Sequence, residues 1–184
     1  MARINNLDIP DIVLIAPDKI HDSRGYFSEI YNAQALAEAG VRETFVQDNL
    51  SLSAKAGTVR GLHFQRPPHA QAKLIRVSRG RAFDVAVDLR PTSPSFGHHA
   101  AVELSAENGL QVYIPHGFAH GFCTLEPDTE VVYKVSAYYA PQAEGGVLWS
   151  DPDLKIDWPV DIRSAIVSEK DVRLPLLKDM SQAF

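Results

Sequence analysis

The sequence predicts an all-β fold, a single jelly-roll barrel with short flanking helices spanning residues 1–184. Strand-like runs follow one another through the middle of the chain, and turn residues such as Ser78-Arg79-Gly80 and Asn108-Gly109 separate them at short intervals. That rhythm belongs to sandwiches and barrels. Helix signals are confined to two short stretches.

The strand runs are AKLIRVSRG from Ala72, RAFDVAVDLR from Arg81, HHAAVELS from His98, GLQVYIP from Gly109, GFCTLE from Gly121 and TEVVYKVSAYY from Thr129. In the second run Phe83, Val85 and Val87 alternate with Asp84, Ala86 and Asp88, which predicts a strand buried on one face. The first helix signal is NAQALAEAG, with Asn32 placed to cap and Gly40 to terminate. The second is SEKDVRLPLLKDM, from Ser168. No repeat or linker divides the chain, and 45% hydrophobic residues suffice for one sizeable core.

Composition narrows the function. A formal net charge of −5 gives no global attraction to nucleic acid or to an anionic membrane. A single cysteine, Cys123, excludes an internal disulfide framework and fits a reducing compartment. Neither a signal-peptide pattern nor a long apolar run is present, so the expected location is the cytoplasm.

The chemistry lies in RGLHFQRPPHAQAKLIRVSRG, Arg60 to Gly80. Metal-binding cupins open with two histidines one residue apart, followed by a glutamate at a fixed distance before a glycine. Here the pair reads His63-Phe64-Gln65, and Lys73 occupies the glutamate position before Gly80. The second cupin motif is matched by Gly109, Pro115, Gly117 and His120. The fold signature is kept and the ligand set is not. An ammonium repels a divalent ion, so no metal is expected. Lys73 alternates with Ile75 and Val77, hence shares an apolar face, and a lysine there calls for an anionic or polarised partner. His116 and His120 lie in a strand-end loop, where a spacing of four does not make them neighbours. Basic residues gather at Arg60, Arg66, Lys73 and Arg76, with Arg24 and Arg42 upstream. Arg24 and Arg60 each precede a glycine, where phosphate oxygens can approach closely. Phe27, Phe64, Tyr133, Tyr138 and Tyr139 are aromatics able to pack or to stack on a base.

These segments, together with DSRGYFSE, QDNLSLS, IPHGFAHGF, EVVYKVSAYYAPQAEGGVLWSDP and SEKD, resemble the dTDP-4-dehydrorhamnose 3,5-epimerases from about residue 22 to 175, in the family's order. The resemblance implies a metal-free cupin barrel, no cofactor, a homodimer in which an N-terminal segment completes the neighbouring site, and a dTDP-4-dehydro-6-deoxy-sugar substrate. It also implies roles. His63 is the base, Asp171 its partner, and Tyr133 the acid on the opposite side of the ring. Lys73 meets the C4 carbonyl oxygen. Arg24, Phe27, Glu29, Gln47, Asp48, Asn49, Arg60, His120, Tyr139, Glu144 and Lys170 are assigned to the substrate, with Phe27 and Tyr139 flanking the nucleotide and Tyr138 the alternative to Tyr139. An epimerase acting at C3 alone or C5 alone, a non-catalytic nucleotide-sugar-binding cupin and a metal-dependent oxygenase are the competing readings.

Overall fold

A computed structural model of the chain describes residues 3–180 and 183–184; residues 1, 2, 181 and 182 of the predicted domain lie outside it. Two antiparallel sheets face each other as the walls of a jelly-roll barrel. One wall runs β1 (Arg3–Asn6), β2 (Val13–Ala16), β10 (Gln111–Ile114), β7 (Lys73–Arg79), β12 (Thr129–Val135), β5 (Gln47–Ser53). The other runs β13 (Glu144–Gly146), β6 (Val59–Gln65), β11 (Phe118–Thr124), β8 (Arg81–Asp88), β9 (His99–Ser105). A separate hairpin, β3 (Ile20–Asp22) and β4 (Gly25–Phe27), stands apart from both.

The inward residues of both walls make one core. Ile75, Val77 and Val131 from the first sheet meet Ala82, Ala86, Phe118 and Phe122 from the second. Strand β8 departs from the expected half-buried pattern, because both of its faces are covered. Val85 and Val87 pack outward under the C-terminal segment, against a cluster that includes Leu154, Trp158 and Met180. The polar face points into the barrel instead of toward water: Asp84 is held by His120, and Asp88 accepts from Arg90, Ser93 and Ser95. A buried carboxylate is tolerated on such a strand because each one is hydrogen-bonded.

The first helix signal is realised as α1 (Ala33–Glu38), with the Asn32 side chain accepting from the Ala35 amide and Gly40 in the left-handed region at φ +92°. The second is corrected. SEKDVRLPLLKDM forms two isolated 3-10 turns, Asp171–Arg173 and Leu177–Asp179, with Leu174 extended between them. Pro175 explains the break, since proline disfavours helical backbone in the residue before it and donates no amide.

Residues 57–59 are flanked by the segment around Ile166, through a parallel bridge between Thr58 and Ile166 and the bonds Val59 N→Ile166 O (2.9 Å) and Ile166 N→Gly57 O (2.9 Å). This carries Ser168, Lys170 and Asp171 to the barrel mouth. Beside it, the β6–β11 register slips: His120 pairs with His63 but Phe122 pairs with Arg60, so β6 carries one extra residue. Strict alternation would send Arg60 and His63 to opposite faces; the bulge turns both into the cavity. Gly61 makes the bulge possible. Its φ is +108°, and a Cβ there would lie 2.6 Å from the His120 carbonyl oxygen and 2.7 Å from the Gly121 Cα. Gly61→Ala is therefore expected to destabilise the protein by roughly 1–3 kcal/mol through backbone strain alone. Thermal unfolding should show a midpoint several degrees lower, and a variant as stable as the parent would disprove the requirement.

Candidate active site

The cavity between the walls measures about 500 Å³ and is lined by Arg60, His63, Lys73, His120, Tyr133 and Asp171, with Lys170 at its rim. The groups come from opposing sheets. His63 and Arg60 lie on β6 and His120 on β11, whereas Lys73 and Tyr133 lie on β7 and β12.

His63 is oriented from behind. Its Nε2 is 2.8 Å from Asp171 Oδ1, and the other carboxylate oxygen accepts from the Gly61 amide at 3.1 Å. Burial works to raise the Asp171 pKa, but the hydrogen bonds of His63, the Gly61 amide and Ser168 outweigh it and hold the carboxyl below its ordinary value. An ionised Asp171 accepts and cannot donate, so Nε2 carries a proton and, in the neutral ring, Nδ1 is the nitrogen with the lone pair. That is the state a base requires.

Lys73 is buried, as its shared face with Ile75 and Val77 predicts. Its Nζ donates to the His63 carbonyl oxygen at 3.4 Å, a long contact that leaves the ammonium available to another acceptor. Desolvation pushes its pKa down to about 8, with Asp84 and Glu144 opposing the fall. His120 Nε2 is 2.9 Å from Asp84 Oδ2, and both side chains are buried. Desolvation lowers the His120 pKa against the pull of Asp84, and Lys73 adds to the fall. Burial raises the Tyr133 pKa despite Arg60, which keeps the phenol protonated. Arg60 itself reaches across to β5, donating from Nε to Ser53 Oγ (3.2 Å) and from Nη2 to the Leu52 carbonyl (3.0 Å).

A smaller lobe of about 140 Å³ shares His63, Lys73 and Tyr133 with the main cavity and adds Gln47, Asn49, Tyr139 and Glu144. Glu144 accepts from Lys170 Nζ at 2.5 Å and from Tyr139 Oη at 3.2 Å. Desolvation raises the Glu144 pKa, but its bonds to Lys170 and Tyr139 dominate and leave it lowered.

Four predicted residues fall outside this space. Asp48 points to the far face of β5, where Lys134 Nζ holds it at 2.8 Å; alternation turns it away from Gln47 and Asn49. Arg24 is exposed at the tip of the β3–β4 hairpin and pairs with Asp22. Phe27 is 68% exposed, and Glu29 accepts from Asn32 Nδ2. Phe27 and Glu29 border a separate groove beside α1. Among the aromatics, Phe64 is no platform for a base: it is buried against Phe184 with ring centroids 5.5 Å apart. His116 turns away from His120, toward Glu43 and Ser136.

Two contributors escaped the sequence reading. Asp84 was visible only as the polar half of an alternating strand, with nothing to show that this half faced inward. Gly61 was visible as the neighbour of Arg60, but its amide bond to Asp171 depends on a contact across 110 positions. Among the described residues, no group of three or more His, Cys, Asp or Glu side chains is arranged to hold a metal ion.

Fold and site together define a class, cupin-type jelly rolls whose cavity gathers ionisable side chains around a buried lysine. The chain belongs to the dTDP-4-dehydrorhamnose 3,5-epimerase family, whose sequence model matches residues 6–179. It is 48% identical over 179 residues to the dTDP-4-dehydrorhamnose 3,5-epimerase of Sinorhizobium fredii, covering 97% of this chain and 91% of that protein. The crystal structure of the Bacillus anthracis dTDP-4-dehydrorhamnose 3,5-epimerase with TDP and PPi bound superposes with a TM-score of 0.93 at 50% identity, covering 96% of this chain and 99% of that one. The Legionella pneumophila dTDP-6-deoxy-D-glucose-3,5-epimerase in complex with dTDP-4-keto-L-rhamnose gives 0.93 at 42% identity, covering 98% and 95%.

The orientation of His63 can be read directly. Nitrogen-15 NMR of the neutral ring should find the proton on Nε2, and Asp171→Ala should remove that preference. A ring protonated on Nδ1 in the parent protein would contradict the assignment.

Proposed function

We propose that the protein is an isomerase that converts dTDP-4-dehydro-6-deoxy-D-glucose into dTDP-4-dehydro-L-rhamnose by inverting C3 and C5, without a cofactor. The observation that carries this reading is the placement of His63 and Tyr133 on opposing sheets of one cavity that also holds Lys73. A C–H bond beside a ketone is acidic because the carbanion delocalises into an enolate. Inversion then needs proton removal from one face and return on the other, hence a base and an acid on opposed walls.

In this scheme His63 Nδ1 takes the proton from carbon while Asp171 stabilises the imidazolium that forms. The Lys73 ammonium donates to the C4 oxygen, and the bond strengthens as the oxygen gains charge. The Tyr133 phenol gives its proton to the opposite face of the carbon and is then reprotonated from solvent, while the His63 imidazolium releases the abstracted proton to solvent. The sequence repeats at the second carbon. Arg60 and His120 hold the sugar end of the substrate. Gln47, Asn49, Tyr139, Glu144 and Lys170 line or border the approach for the nucleotide. Arg24, Phe27 and Glu29, which stand outside their own barrel's cavity, serve the neighbouring site of a homodimer. Asp48 has its only support in its position within the Gln47–Asn49 run. The net charge and the absence, among the described residues, of a helix long and apolar enough to cross a membrane favour neither nucleic acid nor lipid as a partner. The free, buried Cys123 supports a cytoplasmic location.

Incubation with dTDP-4-dehydro-6-deoxyglucose in D₂O should place deuterium at both C3 and C5 and give the L-configured product by NMR. His63→Ala should lose about 10²–10⁴-fold in rate, and Tyr133→Phe should retain exchange while losing inversion. Exchange and inversion at C3 alone would mean the narrower epimerase. Tight binding with no exchange would mean a binding module.

The pH dependence follows from Lys73. Its ammonium is protonated below a pKa of about 8 and neutral above it. Enolate stabilisation is present on the acid side and lost as pH rises, so kcat/KM should fall through about pH 8. Lys73→Met should remove that limb and lower kcat by about 10²–10³-fold. A basic limb unchanged in the variant would assign it to another group.

A further inference from the structure

Gln65 occupies the position of a second metal ligand in the cupin pattern and borders the smaller lobe, but its amide is committed to backbone groups. It is buried at 4% exposure. Its Nε2 donates to the carbonyl oxygens of His69 (2.7 Å) and Tyr138 (3.2 Å), and its Oε1 accepts from the Ala140 amide at 2.8 Å. One amide therefore ties the loop that follows β6 to the loop that follows β12, across the two walls of the barrel. Neighbouring bonds run the same way. Gln71 Nε2 donates to the Ala137 carbonyl at 2.7 Å, and the Ala72 amide donates to Ser136 Oγ at 2.8 Å.

The residue enclosed by these bonds is Tyr139. Gln65 holds the carbonyl immediately before it and the amide immediately after it, and Gln47 Oε1 accepts from Tyr139's own amide at 3.2 Å. Tyr139 is 56% exposed, and its hydroxyl is bonded to Glu144. Packing does little to place such a ring, so the backbone beneath it decides where it stands. The Gln65 amide fixes that backbone on both sides of the ring, and losing it would leave two carbonyls and an amide without their present partner.

We propose that Gln65 is a positioning residue that sets Tyr139 against the nucleotide end of the substrate without touching the reacting groups. The proposal rests on the reading that Tyr139 flanks the nucleotide. Binding of dTDP by calorimetry and steady-state kinetics on the parent, Gln65→Met, Tyr139→Ala and the double variant test it. Gln65→Met should weaken dTDP binding and raise KM by about tenfold, because a ring no longer placed beforehand must be ordered when the nucleotide binds. Its kcat should stay within about twofold, as expected when only uniform binding is removed. The double variant should bind dTDP no more weakly than Tyr139→Ala, because both changes act through one ring. Additive losses, or a fall in kcat at constant KM, would overturn the proposal. Should Tyr139→Ala bind dTDP normally, the nucleotide reading itself fails and the proposal falls with it; normal Tyr139→Ala loss with normal Gln65→Met binding overturns the proposal alone. Gln65→Glu keeps the acceptor for Ala140 and loses both donors, so it covers the case in which the methionine variant does not fold. It too should bind dTDP more weakly, and parental affinity would overturn the proposal.

Discussion

The carboxylate of Asp171 joins the parts of this protein that would otherwise be independent. One oxygen receives Nε2 of His63 and the other receives the amide of Gly61, so a residue near the C-terminus is locked to both ends of the β6 bulge. The interaction is structural and chemical at once. It holds the segment after Ile166 over the barrel mouth, and it determines which imidazole nitrogen faces the cavity. The bulge in turn needs glycine, since β6 and β11 approach too closely there for a Cβ. Remove the carboxylate and the histidine loses its tautomer; remove the glycine and the histidine loses the backbone that aims it.

The second constraint is electrostatic. Lys73, His120 and Asp84 are all buried, and charges in such surroundings are costly unless paired. The barrel meets this cost unequally. Asp84 is matched to His120 at hydrogen-bond distance, while Lys73 has only a long bond to a backbone carbonyl. The lysine is thus the least satisfied member of the group. An oxygen that gains negative charge beside it would supply what the protein withholds. This is the arrangement in which an interaction grows stronger toward a transition state than in the ground state. A fully paired lysine would be more comfortable and less useful.

How far this was legible in the sequence depends on the range of the interaction concerned. Alternation placed Lys73 with Ile75 and Val77, and the capping signals of Asn32 and Gly40 marked α1, because each depends on neighbours a few residues away. The fold and the family were legible for a different reason: glycines, prolines and histidines at fixed spacings record turns that only one architecture uses in that order. What alternation could not report was which face of β8 met water, since the covering C-terminal segment arrives from seventy or so residues further on. The same blindness hid Asp84 and the bulge at Gly61. Period-2 reasoning separates Arg60 from His63, and only the slipped register reunites them. For the helix expected from Ser168, local propensity was overruled by Pro175.

The division of the cavity into two lobes also bears on specificity. His63, Tyr133 and Lys73 line both lobes, whereas Gln47, Asn49, Tyr139 and Glu144 line only the smaller one. On the proposed reading, the reacting groups are fixed to inner strands and the substrate's handle is gripped by the loop of Tyr139 and by two edge strands, β5 and β13. A base fixed on one wall and an acid fixed on the other cannot choose between C3 and C5 by themselves. That choice rests on how the ring is presented, and therefore on how firmly the nucleotide end is held while the ring turns. Residues that order the loop around Tyr139 then bear on how tightly the nucleotide end is held, although none of them handles a proton.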